Sequence, residues 1–154
     1  GGGSLVVAFI DLDHFKYYND TFGHSIGDTI LKEFASLLQK NVREMDFVAR
    51  YGGDEFIVVL PDTDENQAMN VAERIVKTMV QNEFFLPRVR GILNKEVQVP
   101  ASKLLTCSVG LASYRFPDFK EENMDRLLLQ ADQALYQAKN SGKNQICVYQ
   151  EQQG

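Results

Sequence analysis

The chain has 154 residues, 44% of them hydrophobic, and a net charge of −5. That length suits one domain with a sizeable core, the acidic balance argues against a broad nucleic-acid surface, and no apolar run approaches the ~20 residues of a membrane span. No secretory pattern opens the chain, and its two cysteines, Cys107 and Cys147, sit in apolar stretches where the buried, reduced thiols of a cytosolic protein are expected.

Gly1-Gly2-Gly3-Ser4 reads as a linker or tag remnant, residues 5–150 as one domain and 151–154 as a tail. Leu5 to Ile10 is continuously apolar, the pattern of a central strand covered on both faces. It ends at Asp11-Leu12-Asp13, with Asp13 expected to cap a short helical turn over Phe15 to Tyr18. A helix follows from about Ile26 to Val42, with Ile30, Leu31, Phe34 and Leu38 on one face. Gly52-Gly53 joins two strands, near Phe47–Tyr51 and Glu55–Leu60, as a tight hairpin. Pro61-Asp62-Thr63 ends the second strand and caps a helix bearing Ala68, Val71, Ala72, Ile75, Val76 and Met79 at helical spacing.

Phe84 to Lys103, with Pro87, Gly91 and Pro100, reads as a loop with at most one edge strand. Leu104–Ala112 is a strand. A helix from about Met124 to Ser141 buries Leu127, Leu128, Ala131, Leu135 and Ala138 and stops at Gly142. Gln145–Tyr149 closes the sheet. The order βααββαβαβ with a hairpin forbids an all-parallel sheet. It matches an α/β sandwich of ferredoxin-like type, an antiparallel central sheet with flanking helices.

The chemistry gathers at the hairpin. Asp54 and Glu55 stand at its mouth, and Gly52 and Gly53 let a ligand approach the backbone. Alone, Gly-Gly-Asp is an ordinary turn with solvated acids. Asp11 follows the first strand, however, and in such a sheet that strand end can lie beside the hairpin. Asp11, Asp13, Asp54 and Glu55 are then candidates for one site. Clustered carboxylates repel unless a hard cation bridges them, and Mg²⁺ takes a few carboxylates plus substrate phosphates. Two such ions suit an in-line displacement. Ligation is the favoured reading for Asp11 and Asp54, capping for Asp13. His14 and His24 are poor metal ligands alone, His24 reading as a local hydrogen-bonding residue.

The run Asp11-Leu12-Asp13-His14-Phe15-Lys16-Tyr17-Tyr18-Asn19-Asp20, then Gly23-His24 and Gly27-Asp28, and Arg50-Tyr51-Gly52-Gly53-Asp54-Glu55-Phe56 resemble the GGDEF diguanylate cyclase family. Thr106-Cys107-Ser108-Val109-Gly110 and the run from Ala131-Asp132 to Lys139, Gly142 and Asn144 extend the resemblance to about Tyr149. It implies a nucleotidyl-cyclase or polymerase-palm fold and the condensation of two GTP into cyclic di-3′,5′-GMP with release of two pyrophosphates. It also implies two Mg²⁺ or Mn²⁺ ions per half-site, a homodimer of domains, and a bacterial, cytoplasmic setting. By the resemblance, Asp11, the Leu12 carbonyl and Asp54 hold metal. Glu55 either helps hold metal or polarises the 3′-hydroxyl. Phe15, Lys16, Gly52, Gly53, Lys139 and Lys143 bind substrate, with Lys143 where an arginine is common. Asn19 and Asp28 read guanine: a carboxylate accepts from N1–H and the exocyclic amine, a pattern adenine does not offer. Asp28 also suits a helix N-terminus, as Lys139 and Lys143 suit a helix C-terminus. Asp132 and Tyr136 read as structural.

Arg43-Glu44-Met45-Asp46 has the Arg-x-x-Asp pattern at the family's spacing before Gly52, implying a product-inhibition site for cyclic di-GMP with Arg74 as a second cation. An arginine fork can grip guanine O6 and N7. Family domains usually carry a helical segment before the first strand, whereas this chain opens almost on it. A sensory or regulatory domain is therefore expected N-terminally in the full-length protein. The isolated chain is expected to be a weak enzyme, with activity rising faster than linearly with concentration. The other class of function is a non-catalytic receptor for GTP or cyclic di-GMP, which usually has a broken signature, here intact.

Overall fold

A computed structural model describes residues 3–81, 86–94, 97–115 and 120–150. Strand β1 (Ser4–Leu12) lies at the centre of the sheet and is buried from Val6 onward. Because successive side chains alternate between faces, Val6, Ala8, Ile10 and Leu12 enter one core and Val7 and Phe9 the other. This double burial is why its sequence is continuously apolar rather than alternating.

Two helices follow, α1 (Phe15–Phe22) and α2 (His24–Lys40), then the hairpin of β2 (Phe47–Gly52) and β3 (Glu55–Pro61), then α3 (Glu65–Gln81). α2 and α3 cover the larger core, with Phe34 packed edge-on against Phe56 at 5.2 Å. The helix α3 starts differently from the sequence expectation. Asp64 and Gln67 exchange backbone and side-chain hydrogen bonds at 2.8 and 2.9 Å, so the cap is Asp64. The Thr63 hydroxyl instead donates to the Pro61 carbonyl.

The segment expected to be a loop contains helix α4 (Leu86–Leu93) and a 3₁₀ turn at Ala101–Lys103. Pro87 does not break α4 because it sits in the first turn, where a missing N–H goes unused. Of the expected loop, residues 84, 85, 95 and 96 lie outside the described residues, as do residues 1–2 and 151–154. Ser4, expected to be linker, already pairs with Arg115.

Strand β4 (Cys107–Arg115), helix α5 (Glu121–Asn140) and strand β5 (Ile146–Val148) complete the order β2-β3-β1-β4-β5. The centre of the sheet is antiparallel as expected, and the edge strand β5 runs parallel to β4, which makes the sheet mixed. The reason is connectivity, since α5 is a crossover that returns the chain to the start of β4. Leu127, Ala131 and Leu135 of α5 cover Val7 and Phe9 on the second face. At Gly110 the helix backbone rests on the strand, and a Cβ there would collide with Leu135 N, Ala131 O and Ala134 C. Both cysteines are free, Cys107 buried and Cys147 only half-buried. No helix among the described residues is long and apolar enough to cross a membrane.

Candidate active site

The C-terminal end of β1 meets the hairpin mouth. Asp11 stands directly opposite Glu55 of β3 on one side and Ser108 of β4 on the other. The hairpin turns through Gly53, at φ +53°, and Asp54, with an irregular register between Arg50 and Gly52. The Asp54 carbonyl accepts the Leu12 N–H at 3.4 Å, so the backbones of the first strand and the turn touch. The structure thus brings Asp11, Leu12, Asp54 and Glu55 to one edge.

Asp11 is 3% exposed. Its Oδ2 pairs with the Lys139 ammonium of α5, and its buried Oδ1 has no hydrogen-bond partner among the described residues. Burial pushes the Asp54 carboxyl up, with Asp13 adding to the rise and Arg50 opposing it. Burial, then Asp132 and Asp54, push Glu55 up. Burial, then Lys143, push Lys139 down. The acids are therefore desolvated and crowded beyond what their cations neutralise, the condition a divalent ion relieves. Among the described residues no three His, Cys, Asp or Glu side chains could hold a metal by themselves. The orphaned Asp11 Oδ1 is a hard oxygen donor of the kind a Mg²⁺ or Mn²⁺ ion would take.

Asp13 is not a helix cap. The residue preceding α1 is His14, at φ +65° with no side-chain capping bond. Asp13 is buried and accepts from Thr106 Oγ1 at 2.6 Å, Ser108 Oγ at 2.7 Å and the Asn144 N–H at 2.9 Å. A buried carboxylate needs donors, and these three supply them. Gly142, Lys143 and Asn144 all have positive φ, so the turn carrying Lys143 is tied to β1 through Asp13. Lys139 and Lys143 lie close enough for their charges to interact, and His14 is held low by burial and Lys143.

Asn19 of α1 lies against Gly27 of α2, the residue before Asp28. A Cβ on Gly27 would strike Asn19 Oδ1 and come within 3.3 Å of Phe15 Cζ, so the bare glycine lets the Asn19 amide and the Phe15 ring lie against α2. Exposed Asp28 lines a pocket of about 450 Å³ with Lys32, Val48, Arg50 and Phe56. Lys16 is exposed in the first turn of α1.

Arg43, Asp46 and Arg74 line a separate pocket of about 230 Å³. The Arg43 guanidinium donates to Asp46 at 2.9 and 3.2 Å, to the Pro61 carbonyl at 2.5 Å and to Thr63 Oγ1 at 2.8 Å. Arg74 donates to the Asn41 carbonyl at 3.0 Å.

Sequence reasoning gave no role to Arg50, whose Nε donates to the Gly53 carbonyl at 2.8 Å and braces the turn before Asp54. Its signal was an arginine three residues before a glycine at a hairpin mouth. Thr106, Ser108 and Asn144 were noted only as parts of motifs, and nothing local marks them as Asp13 donors. Asp132 and Tyr136, read as structural, are exposed, and the charge of Asp132 reaches Glu55.

Residues 2–145 match the family model described as diguanylate cyclase, GGDEF domain. The chain is 40% identical over 146 residues to the response regulator PleD of Caulobacter vibrioides, covering 95% of this chain and 29% of that protein. It is 38% identical to diguanylate cyclase A of Treponema denticola, covering 94% of this chain and 35% of that protein. It therefore spans about a third of the length of these relatives. Its fold is similar to the active GGEEF domain of a diguanylate cyclase from Vibrio cholerae, with a TM-score of 0.79 and 31% identity over 97% of this chain and 85% of that one. The GGDEF domain of DgcB from Caulobacter crescentus in complex with c-di-GMP superposes with a TM-score of 0.71 at 26% identity, over 96% of this chain and 79% of that one.

Proposed function

This chain belongs to the GGDEF diguanylate cyclase family, and from that premise we propose that it condenses two GTP into cyclic di-3′,5′-GMP and two pyrophosphates. The observation that carries the reading is the buried, unpaired Asp11 Oδ1 opposite Glu55, beside Asp54 and Lys139. That arrangement suits one nucleoside triphosphate with its metal, and the described residues present one such cluster rather than two. Two copies must face each other, so that each 3′-oxygen reaches the α-phosphorus bound by the partner.

In each half-reaction a 3′-O–P bond forms, the bond from the α-phosphorus to the bridging oxygen breaks, and pyrophosphate leaves. Asp11, the Leu12 carbonyl and Asp54 would hold two Mg²⁺ or Mn²⁺ ions. When bound, they supply the charge that lowers the hydroxyl's pKa and offsets the leaving group. Glu55, raised by burial and by its acidic neighbours, is placed either to accept the hydroxyl proton or to complete the metal shell. Lys139, Lys143 and Lys16 draw the phosphates, and the unsubstituted Gly52 and Gly53 let them approach the backbone. Phe15, Asn19 and Asp28 bind the guanine, Asp28 accepting from N1–H and the exocyclic amine. Use of GTP as substrate suits a protein working in the bacterial cytoplasm.

Arg43, Asp46 and Arg74 form the inhibitory site for the cyclic di-GMP product. The test is mass spectrometry of products from concentrated protein with GTP and Mg²⁺, beside Asp54→Ala. Cyclic di-GMP from the wild type alone supports the cyclase. No product, with cyclic di-GMP still bound by calorimetry, would replace it with a receptor.

A further inference from the structure

We propose that Lys139 is the resting counter-ion of Asp11, standing in for a divalent cation and released to substrate phosphate when metal and nucleotide arrive together. The proposal rests on the cyclase reading only for the phosphate that receives the lysine. A carboxylate as buried as Asp11, at 3% exposure, must be paired to stay charged. Lys139 meets Oδ2 alone and leaves Oδ1 without a partner. One oxygen is thus neutralised and the other kept open, a half-filled cation site.

The fold lets the lysine leave without moving its helix. Lys139 stands in the last turn of α5 and its side chain is 34% exposed, so the ammonium has a path to solvent. The backbone just beyond is fixed by the Asn144 bond to Asp13 and by the Lys143 N–H to the Ala138 carbonyl at 3.0 Å. Displacing Lys139 without an anion to receive it drives it toward Lys143, a like charge. With a nucleotide present, the phosphates take both lysines. Metal and nucleotide therefore bind more tightly together than either binds alone, and the empty enzyme does not collect metal. Lys139 acts here as a positioning residue on the Asp11 carboxylate.

The experiment is Mn²⁺ binding to the nucleotide-free protein, read from the electron paramagnetic resonance signal of free Mn²⁺. Wild type is compared with Lys139→Met, Lys139→Arg and the double variant Asp11→Asn/Lys139→Met. Lys139→Met is expected to bind Mn²⁺ about fivefold tighter than wild type, the scale of one partly exposed ion pair. Lys139→Arg is expected to match wild type, and the double variant to lose the gain. Binding by Lys139→Met that is no tighter than wild type overturns the proposal, as does tight binding that survives Asp11→Asn. Should Lys139→Met fail to fold, the Cε resonance of Lys139 in lysine-labelled wild type is followed as Mg²⁺ and inorganic triphosphate are added, each alone and then together. A shift with both together that exceeds the shift with either alone supports release, and a resonance unmoved by the two together overturns it. No GTP enters these measurements, so a failure of the cyclase reading would appear separately, as absent product.

Discussion

The Asn144 N–H donates to the Asp13 carboxylate at 2.9 Å, joining the turn after the last helix to the end of the first strand across 131 positions of sequence. With Thr106 Oγ1 and Ser108 Oγ on the same carboxylate, Asp13 organises the floor on which Asp11 and the lysine turn stand. Asp13→Ala removes the acceptor from three donors, two of them on buried side chains. Stability should fall by about 3 kcal/mol or more. Lys143, three residues past the helix end, should lose its fixed position, so KM for GTP should rise. Urea unfolding and steady-state kinetics check both. A variant with wild-type midpoint and KM would show that this carboxylate organises nothing.

Gly110 is where α5 comes closest to the sheet. The atoms a Cβ would meet are backbone atoms of Ala131, Ala134 and Leu135, which cannot rotate aside. Gly110→Ala should destabilise by at least about 2 kcal/mol, lowering the melting temperature by about 2–4 °C for each kcal/mol in a chain of this size. Thermal unfolding of the purified variant is the check.

Gly27 poses the opposite case. A Cβ there meets the free end of the Asn19 side chain, which can swing away. Gly27→Ala should therefore change stability little but move the Asn19 amide away from the guanine it is proposed to bind. Roughly a tenfold rise in KM for GTP is expected, the scale of one lost hydrogen bond to a base, with the melting temperature within a few degrees of wild type. A large loss of stability at unchanged KM would contradict this division between fold and site.

The same contrast explains what the sequence made legible. Leu5 to Ile10 announced a doubly buried strand because its neighbours on both faces are apolar. Asp11 and Asp54 could be joined because a glycine hairpin fixes the position of its mouth. Helix α4 was hidden because Pro87 and Gly91 read as breakers until their place in the first and later turns is known. The parallel edge strand follows from the crossover of α5, which strand patterns alone do not reveal. Asp13 looked like a cap because capping is local, whereas its donors lie 93, 95 and 131 positions away.

Two buried groups set the alkaline limit of the fold. Burial pushes the Cys107 thiol above its ordinary value of 9.0 and the Tyr18 hydroxyl above 10.0. Tyr18 also donates to the Lys103 carbonyl at 2.6 Å. As pH rises past these ordinary values, the unfolded chain releases both protons while the folded chain keeps them. Stability is therefore full below pH 9 and declines above it, each group contributing up to about 1.4 kcal/mol per pH unit. Melting temperatures between pH 8 and 10.5 should fall, and Tyr18→Phe should flatten the part above pH 10. A flat wild-type profile would refute the argument.

Arg43 and Asp46 make an ion pair at 2.9 Å, so the proposed binding of product between them would begin by opening it. Asp46 is held at 2% side-chain exposure, while Arg43 is 49% exposed. On the proposed reading, the arginine would be the partner that turns outward to guanine O6 and N7, leaving Asp46 to accept from the base. Arg74 donates to the Asn41 side-chain and backbone oxygens and lines the same pocket. Arg43→Ala should weaken cyclic di-GMP binding about 10- to 100-fold, the discrimination a bidentate base contact supplies. Initial turnover should stay near wild type, because Asp11 and Asp54 stand at the other end of the hairpin strands. Calorimetry with cyclic di-GMP and progress curves at rising GTP separate the two effects. Unchanged product affinity would reduce Arg43 and Asp46 to a salt bridge that fastens the end of α2 to the start of α3.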